Sequence, residues 1–165
     1  MIRGMWWLVL VVIVAAIMAT YLTWTAKRVE RLHVRASNAT SALWSKLDDR
    51  AYAARELADT ESPRLGGYTR ALRVAARCAL ESLPEERDAS ENDLTTILRH
   101  LPIPVTDGAM VPLVAVSERL AIAKQVHTDV VRDAMSVRRR WFPRVLGFTR
   151  HFEEPRYLNI DDPRL

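Results

Sequence analysis

Charged positions are missing from one long stretch that begins just after Arg3. Residues 5–24 read MWWLVLVVIVAAIMATYLTW. About 20 helical residues at ~1.5 Å each reach roughly 30 Å, the hydrocarbon thickness of a bilayer. A core helix of a water-soluble domain keeps a polar face, and this run has none. The pattern therefore predicts a membrane-spanning helix. Trp6 and Trp7 at one end, and Tyr21 and Trp24 at the other, carry amphipathic rings that settle at headgroup level. The rival is a cleaved secretory signal, with Arg3 as its basic start and Val14-Ala15-Ala16 as its small-residue cleavage site. The apolar part of such a signal is about 7–15 residues. Here the run continues past Ala16 to Trp24, which favours an uncleaved anchor.

Beyond the run the pattern becomes periodic. Residues 26–60 hold no Gly or Pro, and Val29, Leu32, Ala36, Ala39, Leu43, Leu47, Ala51, Ala54 and Leu57 recur by threes and fours. That is the stripe of an amphipathic helix. With no breaker before it, the helix is expected to continue the anchor until Ser62-Pro63 and Gly66-Gly67 end it. A second helix is expected over 68–83, with Leu72, Ala76, Ala79, Leu80 and Leu83 inward and Pro84 as its stop. Residues 85–87 form a turn. A third helix covers 88–101, with Leu94, Ile97, Leu98 and Leu101 inward. Residues 101–112 (LPIPVTDGAMVP) read as a loop. Pro112 then suits the first turn of a fourth helix. Its seam is Leu113, Val116, Leu120, Ala123, His127, Val130, Ala134 and Val137, held long enough to imply packing on another long helix.

The expected fold class is all-α. An N-terminal transmembrane helix runs on as the first helix of an antiparallel four-helix bundle with two long and two short helices, and an irregular C-terminal tail follows. The divisions are an anchor over 1–25, a helical bundle over 26–142 and a tail over 143–165.

Charge refines this picture. Lys27, Arg28, Arg31 and Arg35 follow the anchor, whereas Arg3 alone precedes it, so the positive-inside rule favours a cytoplasmic bundle. The end of the fourth helix, Arg138, Arg139, Arg140 and Trp141, is expected to return beside Lys27, Arg28 and Arg31. Together they would form a basic and aromatic collar, each cation adding about 1 kcal/mol near an anionic leaflet. The same arginines also suit an ordinary helix C-terminus. The whole chain has a formal charge of +4, with both signs interspersed. That modest bias, with no helix-turn-helix pattern, argues against nucleic acid as a partner. Cys78 is alone, so no intrachain disulfide forms, and its Ala/Leu-rich setting reads as core.

Candidate chemistry is sparse. Glu30-x-x-His33 has the spacing of a di-iron ligand pair, but such a site needs two of these motifs and further inward Glu residues. His100, His127 and His151 have no ligand-spaced partner. His127 falls on the seam and reads as a buried, hydrogen-bonded residue that fixes register. No glycine-rich phosphate loop or Gly-x-Ser-x-Gly elbow is present. The Asn38-Ala39-Thr40 sequon lies mid-helix. No enzymatic activity, cofactor or metal site is expected.

Two stretches resemble the LemA family of single-pass bacterial membrane proteins. Residues 89–94 (ASENDL) look like its Ala-Glu-Asn-x-Leu helix start, and residues 118–133 (ERLAIAKQVHTDVVRD) are similar to its Glu-x-Arg-Ile-x-x-Ala-Arg-x-Phe-Tyr-Asn-Asp-Ala-Val-Arg-Asp helix. The matching residues are Glu91, Asn92, Leu94, Glu118, Arg119, Asp129, Arg132 and Asp133. Phe142-Pro143 and Gly147-Phe148 also fit the family's tail. The family's Phe-Tyr-Asn is Val126-His127-Thr128 here, which marks a divergent member. The resemblance implies a helical bundle anchored in the bacterial cell membrane, of no established enzymatic activity. Some relatives are linked to membrane remodelling or to membrane proteases.

The expected function is a non-enzymatic, membrane-anchored scaffold whose partners are membrane lipid and other membrane proteins. Association with a second copy of the chain stays open. The alternative is an accessory or assembly subunit of a larger integral membrane complex, with Ala15-Ala16-x-x-Ala19 as a small-residue patch for close helix approach.

Overall fold

The computed structural model of the chain describes residues 2–138 and 158–165, with side chains described from residue 6 onward except those of 29, 137 and 138. The described residues are helical and contain no strand. Helix α1 spans Ile2–Thr60, α2 Ser62–Leu65, α3 Tyr68–Glu81, α4 Arg87–Arg99 and α5 Val111–Arg138. A 3-10 turn at Gly108–Met110 precedes α5.

The chain divides into two compact units. One comprises Met1–Ser37 and Val130–Pro155, the other Asn38–Asp129 and Arg156–Leu165. Residues 2–37 of α1 belong to the first unit and residues 38–60 to the second. In the first unit, Ala36, Val131 and Ala134 are buried, whereas the large side chains of residues 6–14 are exposed.

In the second unit, Ala51, Ala54, Leu57 and Ala58 of α1 share a core with Leu72, Ala76 and Ala79 of α3, Leu94 and Leu98 of α4, and Leu113 of α5. Small residues dominate the α1 and α3 contributions, which permits close helix approach. A second cluster joins Leu43 and Leu47 of α1, Leu120 of α5 and Ile160 of the C-terminal segment. The expected stripe thus meets the core at Leu43, Leu47, Ala51, Ala54 and Leu57.

The ends of the helices follow local chemistry. α1 stops at Thr60, and Ser62-Pro63 opens a one-turn helix that the sequence did not predict, with Pro in its first turn. Gly66 closes that turn at φ 53° and ψ −122°, a conformation open to glycine because it lacks Cβ. α3 ends at Glu81, two residues earlier than expected. Ser82 is already extended, and Pro84 biases Leu83 away from helix as well. Leu83, expected inward, is therefore 61% exposed. Cys78 is also exposed, because the buried positions of α3 are Thr69, Leu72, Ala75, Ala76 and Ala79, and Cys78 falls outside their arc. Asp107 fixes the loop before α5. It accepts from Arg64 Nη2 at 2.5 Å and from the Ala109 amide at 2.9 Å, and these bonds, the first above all, hold its carboxyl below the usual carboxylate range.

On α5 the buried positions are Leu113, Ser117, Leu120, His127, Val131 and Ala134. Ser117 and Val131 replace the expected Val116 and Val130, which are only partly buried. His127 is 1% exposed, its Nε2 3.2 Å from Thr40 Oγ1 on α1. Burial pushes the imidazole pKa down.

Candidate functional site

Two places stand out by their chemistry, one in each unit. The first is the apolar start of α1. One helix, Trp6–Thr60, is long and apolar enough to cross a membrane by length and composition. Trp6 and Trp7 are 70% and 71% exposed, and Val9 to Ile17 present bare aliphatic side chains. At about 25 cal/mol per Å², such a surface is strongly unfavourable against water and neutral against lipid. Threonine hydroxyls toward its end bond the helix's own backbone: Thr20 Oγ1 donates to the Ala16 carbonyl at 2.9 Å and Thr25 Oγ1 to the Tyr21 carbonyl at 2.8 Å.

Near the end of the apolar run, side chains of α1 contact one another. The rings of Tyr21 and Trp24 lie 6.4 Å apart between centroids, tilted by 34°. The Arg28 guanidinium carbon stands 5.5 Å from the Trp24 ring centroid, a cation–π pair. Arg31 Nε donates to the Lys27 carbonyl at 3.2 Å, and both side chains are exposed or nearly so. Arg138 is the last described residue of α5. Arg139, Arg140 and Trp141, the rest of the expected collar, lie outside the described residues.

The second place is a buried charge cluster in the second unit. Arg50, on the inward stripe of α1, is fully buried, as is Glu91 of α4, and Arg87 of α4 is 4% exposed. Arg50 Nη1 donates to Thr95 Oγ1 at 2.9 Å and stands 3.8 Å from Glu91 Oε2. Arg87 Nε stands 3.6 Å from Glu91 Oε1, and Arg87 Nη2 bonds the Asp48 carboxylate. The Arg87 guanidinium also lies 5.4 Å from the Trp44 ring centroid. Burial of the Glu91 carboxyl dominates. It pushes the pKa up to about 7, with Arg50 and Arg87 opposing it from distances too long for hydrogen bonds. Burial also lowers the pKa of Arg50, with Glu91 pulling the other way.

The family-like residues separate into two groups. Glu91, Asn92 and Leu94 lie in or beside this cluster and core. Glu118, Arg119, Asp129, Arg132 and Asp133 lie on exposed positions of α5. Sequence reading missed Arg50, Arg87 and Thr95. A signal for Arg50 was present: it lies three residues after Leu47 and four before Ala54, so helical phase alone turns it inward. Among the described residues, no three His, Cys, Asp or Glu side chains stand close enough to share a metal ion. No protein-family model, curated protein or solved structure matches the chain.

Proposed function

We propose that this chain is a non-enzymatic scaffold held in a bacterial cell membrane by residues 5–24, a divergent LemA-like protein whose helical domain faces the cytoplasm. The observation that carries the reading is the bare apolar surface of α1, with Trp6 and Trp7 exposed at one end and the Tyr21–Trp24–Arg28 group at the other. Lipid is the solvent that matches that surface, and headgroups match its aromatic and cationic end. Under the same reading, residues 38–60 of α1 join α3, α4 and α5 as an antiparallel four-helix bundle with two long and two short helices. The shared core of Ala51, Leu72, Leu94 and Leu113 supports it. The partners are lipid and other membrane proteins, met through exposed faces such as that of Glu118 and Arg119.

The test is to tag both termini in bacterial cells, wash the membranes at alkaline pH and cross-link mildly. Both tags should remain on one chain in the pellet, with cross-linked partner proteins. Loss of the N-terminal tag would identify a cleaved signal, and recovery of this chain alone would overturn the scaffold.

A second reading, an accessory subunit of an integral membrane complex, is favoured by one feature. Ala15, Ala16 and Ala19 are exposed small residues that permit close helix approach within lipid. Replacing all three with Leu should release the chain from such a complex; unchanged co-purification removes this reading.

A further inference from the structure

Residues 158–165 (LNIDDPRL) belong to the second unit without forming helix or strand. Backbone polar groups of a segment outside regular structure must find their partners elsewhere. Here side chains of the helices supply them. Asn92 grips the segment from both sides of its amide: Nδ2 donates to the Asn159 carbonyl at 3.2 Å, and Oδ1 accepts from the Asp161 amide at 2.8 Å. Asp88, one turn earlier on α4, accepts from the Asn159 amide at 3.0 Å. Arg99, two turns after Asn92, donates to the Asp162 carbonyl at 2.7 Å. Lys124 of α5 bonds the Ile160 carbonyl and reaches the Asp161 carbonyl at 3.4 Å. Arg50 of the buried cluster reaches the Pro163 carbonyl at 3.4 Å.

Apolar side chains of the segment fill the spaces between these bonds. Ile160 is 5% exposed against Leu43, Leu47 and Leu120, with Leu158 packed beside it. Pro163 is buried, and Leu165 packs on the larger core. The division of labour is that of a peptide-binding groove. Bonds to the main chain supply affinity for the backbone, and apolar pockets read the side chains between them. None of these contacts depends on the segment being covalently joined to the helices.

We propose that α1, α4 and α5 form a recognition groove for a non-helical segment of the pattern Leu-x-Ile-x-x-Pro-x-Leu. Residues 158–165 are its tethered occupant, and the same residues of a second copy exchange into it. A second copy carries by construction the segment that fits. The chain's own tail competes with that of a second copy, so exchange requires crowded chains or a tail that is undocked.

The experiment uses the full-length chain in detergent. A fluorescent peptide of residues 158–165 is titrated against the unaltered chain, against Ile160→Asp, and against Ile160→Asp combined with Asn92→Ala and Lys124→Ala. The Ile160→Asp chain, its own tail undocked, should keep its helical circular dichroism and bind at least tenfold more tightly than the unaltered chain. The triple variant should lose that gain. Mixing the Ile160→Asp chain with a chain carrying Asn92→Ala and Lys124→Ala should give hetero-association that neither forms alone. Loss of helix in Ile160→Asp would show the segment to be an integral part of the core and overturn the proposal. So would a folded Ile160→Asp chain that ignores the peptide. Peptide binding without hetero-association would overturn the second copy as occupant and leave a segment of a different protein.

Discussion

Two regions of α1 invert the usual arrangement of apolar and charged side chains in opposite ways. Over residues 6–24 the helix holds Trp, Val, Leu and Ile outward, with Trp7 71% exposed. At Arg50 the same helix holds a guanidinium fully inside. Exposure has meaning only relative to a solvent. The first surface is favourable if hydrocarbon surrounds it. The second is tolerable because Thr95, Glu91 and the Pro163 carbonyl surround the guanidinium with acceptors. A buried ion pair of this kind is weak as a source of stability, but its halves are costly to separate. The apolar run is long enough to cross a membrane, whereas the cluster holds α1, α4 and the C-terminal segment in register.

The largest expected effect tests the anchor side of this contrast. Val11→Arg with Ala15→Arg places two charges on one face near the middle of the run. Each costs about 2.5–3.5 kcal/mol on insertion scales, so the pair should move most of the chain out of alkaline-washed membranes. Retention in the pellet would mean that lipid does not surround residues 6–24.

Next in size is Arg50→Ala at pH 8, where Glu91 is largely ionised. Removing one partner should destabilise the second unit by about 3–5 kcal/mol in denaturant unfolding. Arg50→Met combined with Glu91→Leu should recover most of that loss, because two apolar residues leave no buried charge unpaired. Failure of the double variant to recover would show that packing or tail docking, not charge pairing, is what Arg50 supplies.

The smallest effect is pH dependence. Glu91 in the folded chain binds its proton more tightly than an ordinary carboxyl, with a pKa of about 7. The folded state therefore holds more protons across the window from about 4.5 to 7, and stability should fall as pH rises through it. The upper bound on that fall is about 3 kcal/mol. Glu91→Gln should flatten the slope. His127 acts in the opposite sense: its lowered pKa makes the folded state lose stability as pH drops below the usual imidazole range. His127→Gln should therefore steepen the Glu91 slope; an unchanged profile in both variants would place the titrating group elsewhere.

Periodicity read the helices well because local sequence carries it. The stripe of Leu43, Leu47, Ala51 and Ala54 and the breaks at Pro63 and Gly66 are properties of short windows, and α1, α3, α4 and α5 follow them. The errors occur where a proline shifts a boundary or tertiary packing shifts a phase. Leu83 falls outside the end of α3, and Ser117 takes the place of Val116 on the seam. The charge cluster was partly legible, since Arg50 lies in phase with its apolar neighbours. Arg87, Glu91 and Thr95 share a face of α4 with no mark in the sequence that they would meet it.

By itself the sequence determined the apolar run, the helical class and the helix breaks, because hydropathy and turn chemistry act over a few neighbouring residues. Tertiary structure alone decided that Asn92, Asp88, Arg99 and Lys124 converge on residues 158–165, which look like an unstructured tail in the sequence. Such convergence joins positions more than 30 residues apart, and no local pattern encodes a partner at that distance.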